Sequence, residues 1–197
     1  MKKIILTSSM MLIFSAFLFT GCKNTPKTVA PVAAEPTPEQ LVKRGEYLVA
    51  IMGCNDCHSP KQITEQGPIV IKESMLSGYP ADRPVQKADP RVVRQGWILF
   101  NFDLTSAVGE WGVSFSANLT SDQTGIGNWT EENFKRALKE GKYKGLEGSR
   151  SLLPPMPWTN FVSIEDGDVK AIFAYLKSTR PVSNVVPMPV SPEEMLK

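Results

Sequence analysis

Cys54 and Cys57 are separated by Asn55 and Asp56, and His58 follows the second thiol directly. Cys-x-x-Cys-His is the spacing of covalent haem c attachment. Two thiols at that separation reach the two vinyl groups on one porphyrin edge, and the imidazole next to them swings beneath the iron. Rival chemistries need partners that the chain does not supply. A thioredoxin-like redox pair needs a βαβ setting, and a zinc site needs two more ligands. His58 is the only histidine in the sequence, and the third cysteine, Cys22, sits in an unrelated context. The spacing therefore predicts one haem c, attached at Cys54 and Cys57, with His58 as proximal iron ligand.

A lone histidine rules out bis-histidine ligation within the chain, so the distal ligand is a methionine, a weaker substitute or nothing. Beyond the leader the methionines are Met52, Met75, Met156, Met188 and Met195. Met52 is too close to the attachment motif to reach the opposite ring face, and Met188 and Met195 lie in a Pro-rich tail. Met156 stands in Leu152-Leu153-Pro154-Pro155-Met156-Pro157-Trp158, where prolines on both sides fix φ and stiffen the loop. Met156 is the expected distal ligand, with Met75 in reserve and core filling as the bland alternative.

The N-terminal end reads as an export signal. Lys2 and Lys3 form a basic n-region, and Ile4 to Phe19 is free of charge. That run is shorter than the roughly 20 apolar residues a spanning helix needs. Leu18-Phe19-Thr20-Gly21-Cys22 resembles a lipoprotein signal, which makes Cys22 the expected lipidation site and 1–21 the signal peptide. Residues 22–37 are rich in Pro, Ala and Thr and read as a flexible tether. With Lys2 and Lys3 in the leader, 22 basic against 20 acidic residues become a balanced mature chain. Such a chain lacks the basic stripe of a nucleic-acid binder.

The positioning elements follow from apolar spacing and caps. Thr37-Pro38-Glu39-Gln40 has the form of a capping box with proline at the first helical position, and Leu41, Val42, Leu48, Val49 and Met52 continue at helical spacing to Gly53. A second helix is expected from Thr130 to Gly141, with Phe134, Ala137 and Leu138 inward. A third is expected from Ser163, with Asp166 at its third position, to about Lys177; Val169, Ile172, Phe173 and Leu176 form its inner face, and Pro181 stops it.

A haem motif after a helix containing Gly45, then a Met loop, then Ala171-Ile172-Phe173-Ala174-Tyr175-Leu176-Lys177 resembles class I cytochrome c. Ala117-Asn118-Leu119-Thr120, Thr124-Gly125-Ile126-Gly127-Asn128-Trp129-Thr130 and the Pro-Pro-Met-Pro-Trp loop resemble, more narrowly, bacterial cytochrome c-like proteins related to haem subunits of periplasmic dehydrogenases. The resemblance covers roughly 38–180. It implies an all-α class I fold whose first and last helices cross at Gly45 against an aromatic such as Tyr175, and it makes Asn118 and Trp129 candidate haem contacts. Residues 181–197 remain as a Pro-rich C-terminal tail.

The departure from a minimal member of that family is length: 97 residues lie between His58 and Met156. The surplus, about 62–116, is a loop-rich insertion in which turns and short strands are expected. Its Tyr79, Trp97, Phe100, Phe102, Trp111 and Phe115 either shield a haem edge or present a docking surface. Arg83, Arg91 or Arg94 are candidates for pairing with a haem propionate. Gly125-Ile126-Gly127 lacks the third glycine of a dinucleotide loop. The basic run Lys135 to Lys144 reads as a solvated helix face or an electrostatic guide for a partner.

Six-coordinate His/Met iron leaves no open position for a substrate. The reading is an electron-transfer protein and not an enzyme: a periplasmic haem domain tethered by lipid to a bacterial membrane, exchanging single electrons with a redox partner protein such as a dehydrogenase or terminal oxidase. The rival is a haem enzyme or a gas- or peroxide-binding protein with a displaceable sixth ligand.

Overall fold

The computed structural model describes residues 34–85 and 87–195. The leader, Cys22 and all of the 22–37 tether except its last four residues lie outside them. Among the described residues no helix is long and apolar enough to cross a membrane.

Helix α1 (Pro38–Ile51) begins as its sequence requires: the Thr37 side chain accepts from the Gln40 backbone N–H while the Gln40 side chain accepts from Thr37 N. It buries Gly45, Leu48 and Val49. Helix α4 (Glu131–Glu140) has the same reciprocal cap from Thr130 and Asn133, and ends at Gly141 in the left-handed conformation at φ 64°. Helix α5 (Asp166–Ser178) buries Val169, Ala171, Ile172 and Leu176. Helices α1 and α5 make the most extensive contact between elements. At their crossing Gly45 lies against the Ala171 carbonyl, and a Cβ on it would come within 2.7 Å of the Tyr175 Cβ. The axes can approach this closely only because residue 45 has no side chain.

Helix α5 starts later than Ser163. Asp166, expected at the third position, is the first helical residue and sends its carboxylate to Lys135 Nζ at 2.6 Å and Lys139 Nζ at 2.9 Å on α4. Lys139 also donates to the Ile164 carbonyl at 2.8 Å, so residues 163–165 become the joint between the two helices. Part of the basic run at 135–144 is thus paired with Asp166 at the surface.

The helices share one core of Leu48, Val49, Leu76, Ile126, Phe134, Leu138, Val169, Ile172 and Leu176. The long connection adds a second, smaller one. Strands β1 (Lys61–Thr64) and β2 (Gly67–Val70) form an antiparallel hairpin with no fully buried residue. A short helix α3 (Pro90–Arg94) precedes β3 (Leu99–Phe100), β4 (Ser106–Gly109) and β5 (Gly112–Phe115), antiparallel in the order β3-β4-β5. Val93, Val108 and Val113 form the small core between α3 and this sheet. At about 1.5–3 kcal/mol per buried aliphatic side chain, three valines stabilise a three-stranded sheet only marginally. The tail completes it. Val190 exchanges backbone hydrogen bonds with Val113 at 2.9 and 3.0 Å, and Met195 in the terminal turn α6 (Pro192–Met195) packs on the same cluster.

Candidate functional site

The attachment motif is itself a helix of five residues, α2 (Cys54–His58), entered through Gly53 at φ 70°. One helical turn therefore carries both thiols at i and i+3 and the imidazole at i+4. The cysteines form no disulfide. Burial pushes the Cys54 thiol up to about 11, and burial also raises Cys57, so both are held as neutral thiols.

His58 Nδ1 lies 2.8 Å from the Ala117 carbonyl oxygen. A carbonyl only accepts, so Nδ1 carries the proton and Nε2 keeps its lone pair for a metal. Burial lowers the pKa of the ring against the opposing pull of that carbonyl, which favours the neutral imidazole that coordination needs. No group of three His, Cys, Asp or Glu side chains among the described residues converges on a common point.

The turn is fastened from four sides. The Gly78 N–H donates to the His58 carbonyl at 2.8 Å, and the Leu76 N–H donates to Ser59 Oγ at 2.9 Å while that hydroxyl donates to Asn55 Oδ1 at 2.8 Å. Lys61 Nζ reaches back to the Asp56 carbonyl at 2.6 Å and across to the Asp103 carbonyl at 2.7 Å. The fourth fastening is the Ala117 contact. None of these partners is legible in the motif, because most are backbone atoms supplied by the insertion and its borders.

Met75, Met156, Trp129, Cys54 and Phe161 are all part-buried and pack against the main helical core. Both candidate thioethers thus border the same core as the first attachment thiol. Met188 is 68% exposed, and Met195 belongs to the sheet core. Asn118 is buried and committed to the protein: its amide donates to Thr124 Oγ1 at 3.1 Å and the Val182 carbonyl at 2.8 Å, and its carbonyl oxygen accepts from Thr120 N and Oγ1. It fastens the Pro-rich tail beside the Ala117 carbonyl.

Of the candidate arginines, Arg83 is committed to the protein. Arg83 pairs with Asp103 at 2.8 Å and lies 5.3 Å from both the Tyr79 and Phe102 ring centroids. Asp103 is fully buried and accepts from Asn101 Nδ2 at 2.8 Å and from Thr105 Oγ1 at 2.6 Å. Arg91 pairs with its neighbour Asp89 at 2.7 Å. Of the insertion aromatics, Tyr79 is buried and stacks on Phe115 with centroids 4.7 Å apart, whereas Trp97, Phe100 and Phe102 are exposed.

No known protein-family profile matches the chain. Over 169 residues it is 27% identical to the gluconate 2-dehydrogenase cytochrome c subunit of Pantoea cypripedii, covering 82% of this chain and 30% of that protein. Over 152 residues it is 28% identical to the cytochrome c subunit of the quinone alcohol dehydrogenase of Gluconobacter oxydans, covering 76% and 24%. A shorter stretch of 78 residues is 41% identical to a nicotinate dehydrogenase subunit from Pseudomonas putida, covering 39% of this chain and 6% of that protein. The chain spans less than a third of the length of each of these relatives. It is related to the cytochrome c subunits of dehydrogenases, and that relation implies haem c. The donor set at Cys54, Cys57 and His58 fits that group.

Burial opposes ionisation of Asp103, but hydrogen bonds from Arg83 and from the Thr105 hydroxyl and N–H outweigh it, so its pKa lies below the ordinary value. A depressed carboxylate contributes stability above its unfolded pKa of about 3.9 and loses it as the pH falls through the lower folded value. Asp103→Asn should destabilise the holoprotein by about 3 kcal/mol at pH 7, the scale of a buried pair left with one charge. It should also remove part of the acid-dependent stability loss below pH ~4. Urea denaturation at neutral and acidic pH measures both; equal pH profiles for variant and wild type would rule out an anionic role for Asp103.

Proposed function

We propose that the chain is a one-electron carrier with a class I cytochrome c fold carrying a long, strand-containing insertion. It holds a single haem c through thioethers at Cys54 and Cys57, with His58 Nε2 and the Met156 sulfur as axial ligands. The observation that carries the reading is the pairing of two thiols on one helical turn with an imidazole whose Nδ1 is locked by the Ala117 carbonyl. The haem supplies the iron couple that accepts and releases the electron. The polypeptide attaches it, sets the tautomer of the proximal ligand, excludes water with the main helical core, and raises the potential through a thioether relative to a second imidazole.

The relatives are cytochrome c subunits of dehydrogenases, which supports a dehydrogenase as the electron donor and a carrier, non-catalytic role for this chain. We infer an exported protein, with Cys22 diacylated and the haem domain in the periplasm at the end of the 22–37 tether. The basis is the order of basic n-region, apolar run and Thr-Gly-Cys in the sequence. Met156 is preferred over Met75 because three prolines around it leave its loop little entropy to lose on ligation.

Met156→Ala should leave the haem covalently bound, lower its potential and abolish the near-infrared sulfur-to-iron band. Persistence of that band, with its loss in Met75→Ala instead, would reassign the ligand. Cys22→Ala should move the cytochrome from the membrane pellet to the soluble periplasmic fraction with an unaltered spectrum. A variant that still pelleted after a high-salt wash would contradict the lipid anchor.

A further inference from the structure

The loop that carries Met156 is poor in backbone donors around the methionine. Pro154, Pro155 and Pro157 have no N–H to donate. Within the loop the Met156 N–H makes a bond to the Leu153 carbonyl at a long 3.3 Å. Two short bonds come from elsewhere: the Leu152 N–H donates to the Gly141 carbonyl at 2.6 Å at the start of the loop, and nearer the methionine Ser114 Oγ, on β5, donates to the Pro154 carbonyl at 2.6 Å across 40 positions of sequence.

Ser114 is built for this contact. It is only 7% exposed, and its Oγ accepts the indole N–H of Trp111 at 3.1 Å, which leaves the hydroxyl proton free to point at Pro154. The alternative acceptor, the Ala107 carbonyl, is a weak 3.4 Å away. Trp111 is seated by Gly109, where any Cβ would strike the indole ring. The strand itself is fixed on both edges, by β4 through Ala107 opposite Ser114 and by Val190 opposite Val113. The insertion thus ends in a rigid, buried donor aimed two residues short of the proposed distal ligand.

We propose that Ser114, oriented by Trp111, is a positioning residue for the distal ligand: it anchors the Pro154 carbonyl so that the Met156 thioether is held over the iron. The inference rests on Met156 being that ligand. It also gives the strands of the insertion a role in the redox centre beyond covering it. A thioether is a weak ligand, and each excursion of its loop exposes the iron to exogenous molecules. Removing the anchor raises the population of the open form without touching a ligand, the haem or its attachment.

The test uses the full holoprotein and carbon monoxide as the probe of the open ferrous site, together with the near-infrared band of the ferric form. Ser114→Ala should speed carbon monoxide binding about fivefold, the factor that one lost hydrogen bond makes in an opening equilibrium, and weaken the band. Ser114→Thr, which keeps the hydroxyl on a β-branched strand residue, should restore both. Trp111→Phe, which removes the donor to Ser114 together with part of the indole ring, should shift both in the same direction by less and serves if Ser114→Ala does not fold. Val108→Ala loosens the same sheet with no atom on Pro154 and should lower thermal stability while leaving carbon monoxide binding unchanged. If Met156→Ala opens the site but neither Ser114→Ala nor Trp111→Phe changes either readout, the positioning role is wrong and the ligand stands. If Val108→Ala moves both readouts as far as Ser114→Ala, the effect is general loosening and the proposal also fails. If Met156→Ala itself leaves both readouts unchanged, the ligand reading has failed first and the proposal with it.

Discussion

A helix of five residues cannot hold itself. Nucleating a helical turn fixes several dihedral angles for a single hydrogen bond, and α2 is little more than that first turn. Yet it carries two thiols and an imidazole, which in the proposed function must meet one planar ring together. The rest of the structure answers that constraint: Gly78, Leu76, Lys61 and Ala117 each hold a different atom of the turn or of its C-terminal flank. Leu76 and Gly78 lie within the insertion, Lys61 and Ala117 border it, and Lys61 is fixed in turn by the loop around Asp103. The insertion is therefore part of the scaffold that gives the attachment turn its shape.

Around this centre the helical frame provides rigidity. Helices α1 and α5 cross where Gly45 lets backbones touch, and α4 is bolted to the start of α5 by Lys135 and Lys139 on Asp166. Those surface pairs are individually weak, at about 0–1 kcal/mol. Their use is geometric: the carboxylate they recruit is no longer available to cap its own helix, and α5 begins three residues after Ser163. Asn side chains tie the Pro-rich tail to the rest of the chain. Asn184, for example, donates to the Ser77 and Tyr79 carbonyls at 2.7 and 2.9 Å while its own carbonyl accepts from Ala81 N.

The helices of the frame were legible because their signals are local. Thr37 with Gln40, Thr130 with Gly141 and the apolar spacing of Val169, Ile172 and Leu176 each sit within a few residues of what they specify. The Cys-x-x-Cys-His motif is local in the same way, all of it within one helical turn. What escaped the sequence is long-range and made of backbone. The Ala117 carbonyl on His58 has no residue-type signature, and the Pro-rich tail gave no periodic signal because its carbonyls are used by Asn118 and its Val190 pairs with a strand only through two bonds. Arg83 looked like a free cation for a propionate; its commitment to a buried aspartate twenty residues later depends on a loop whose path the composition does not encode.

The central claim is that Cys54 and Cys57 are thioether anchors for one haem. The mature protein, expressed from the full sequence with a c-type maturation system, should exceed by intact mass spectrometry the mass of its processed, lipidated polypeptide by a single haem. That mass should survive acid–acetone extraction, and a thiol reagent should label neither Cys54 nor Cys57. Loss of the haem into the acid–acetone phase, or labelling of both cysteines in the coloured protein, would contradict the account.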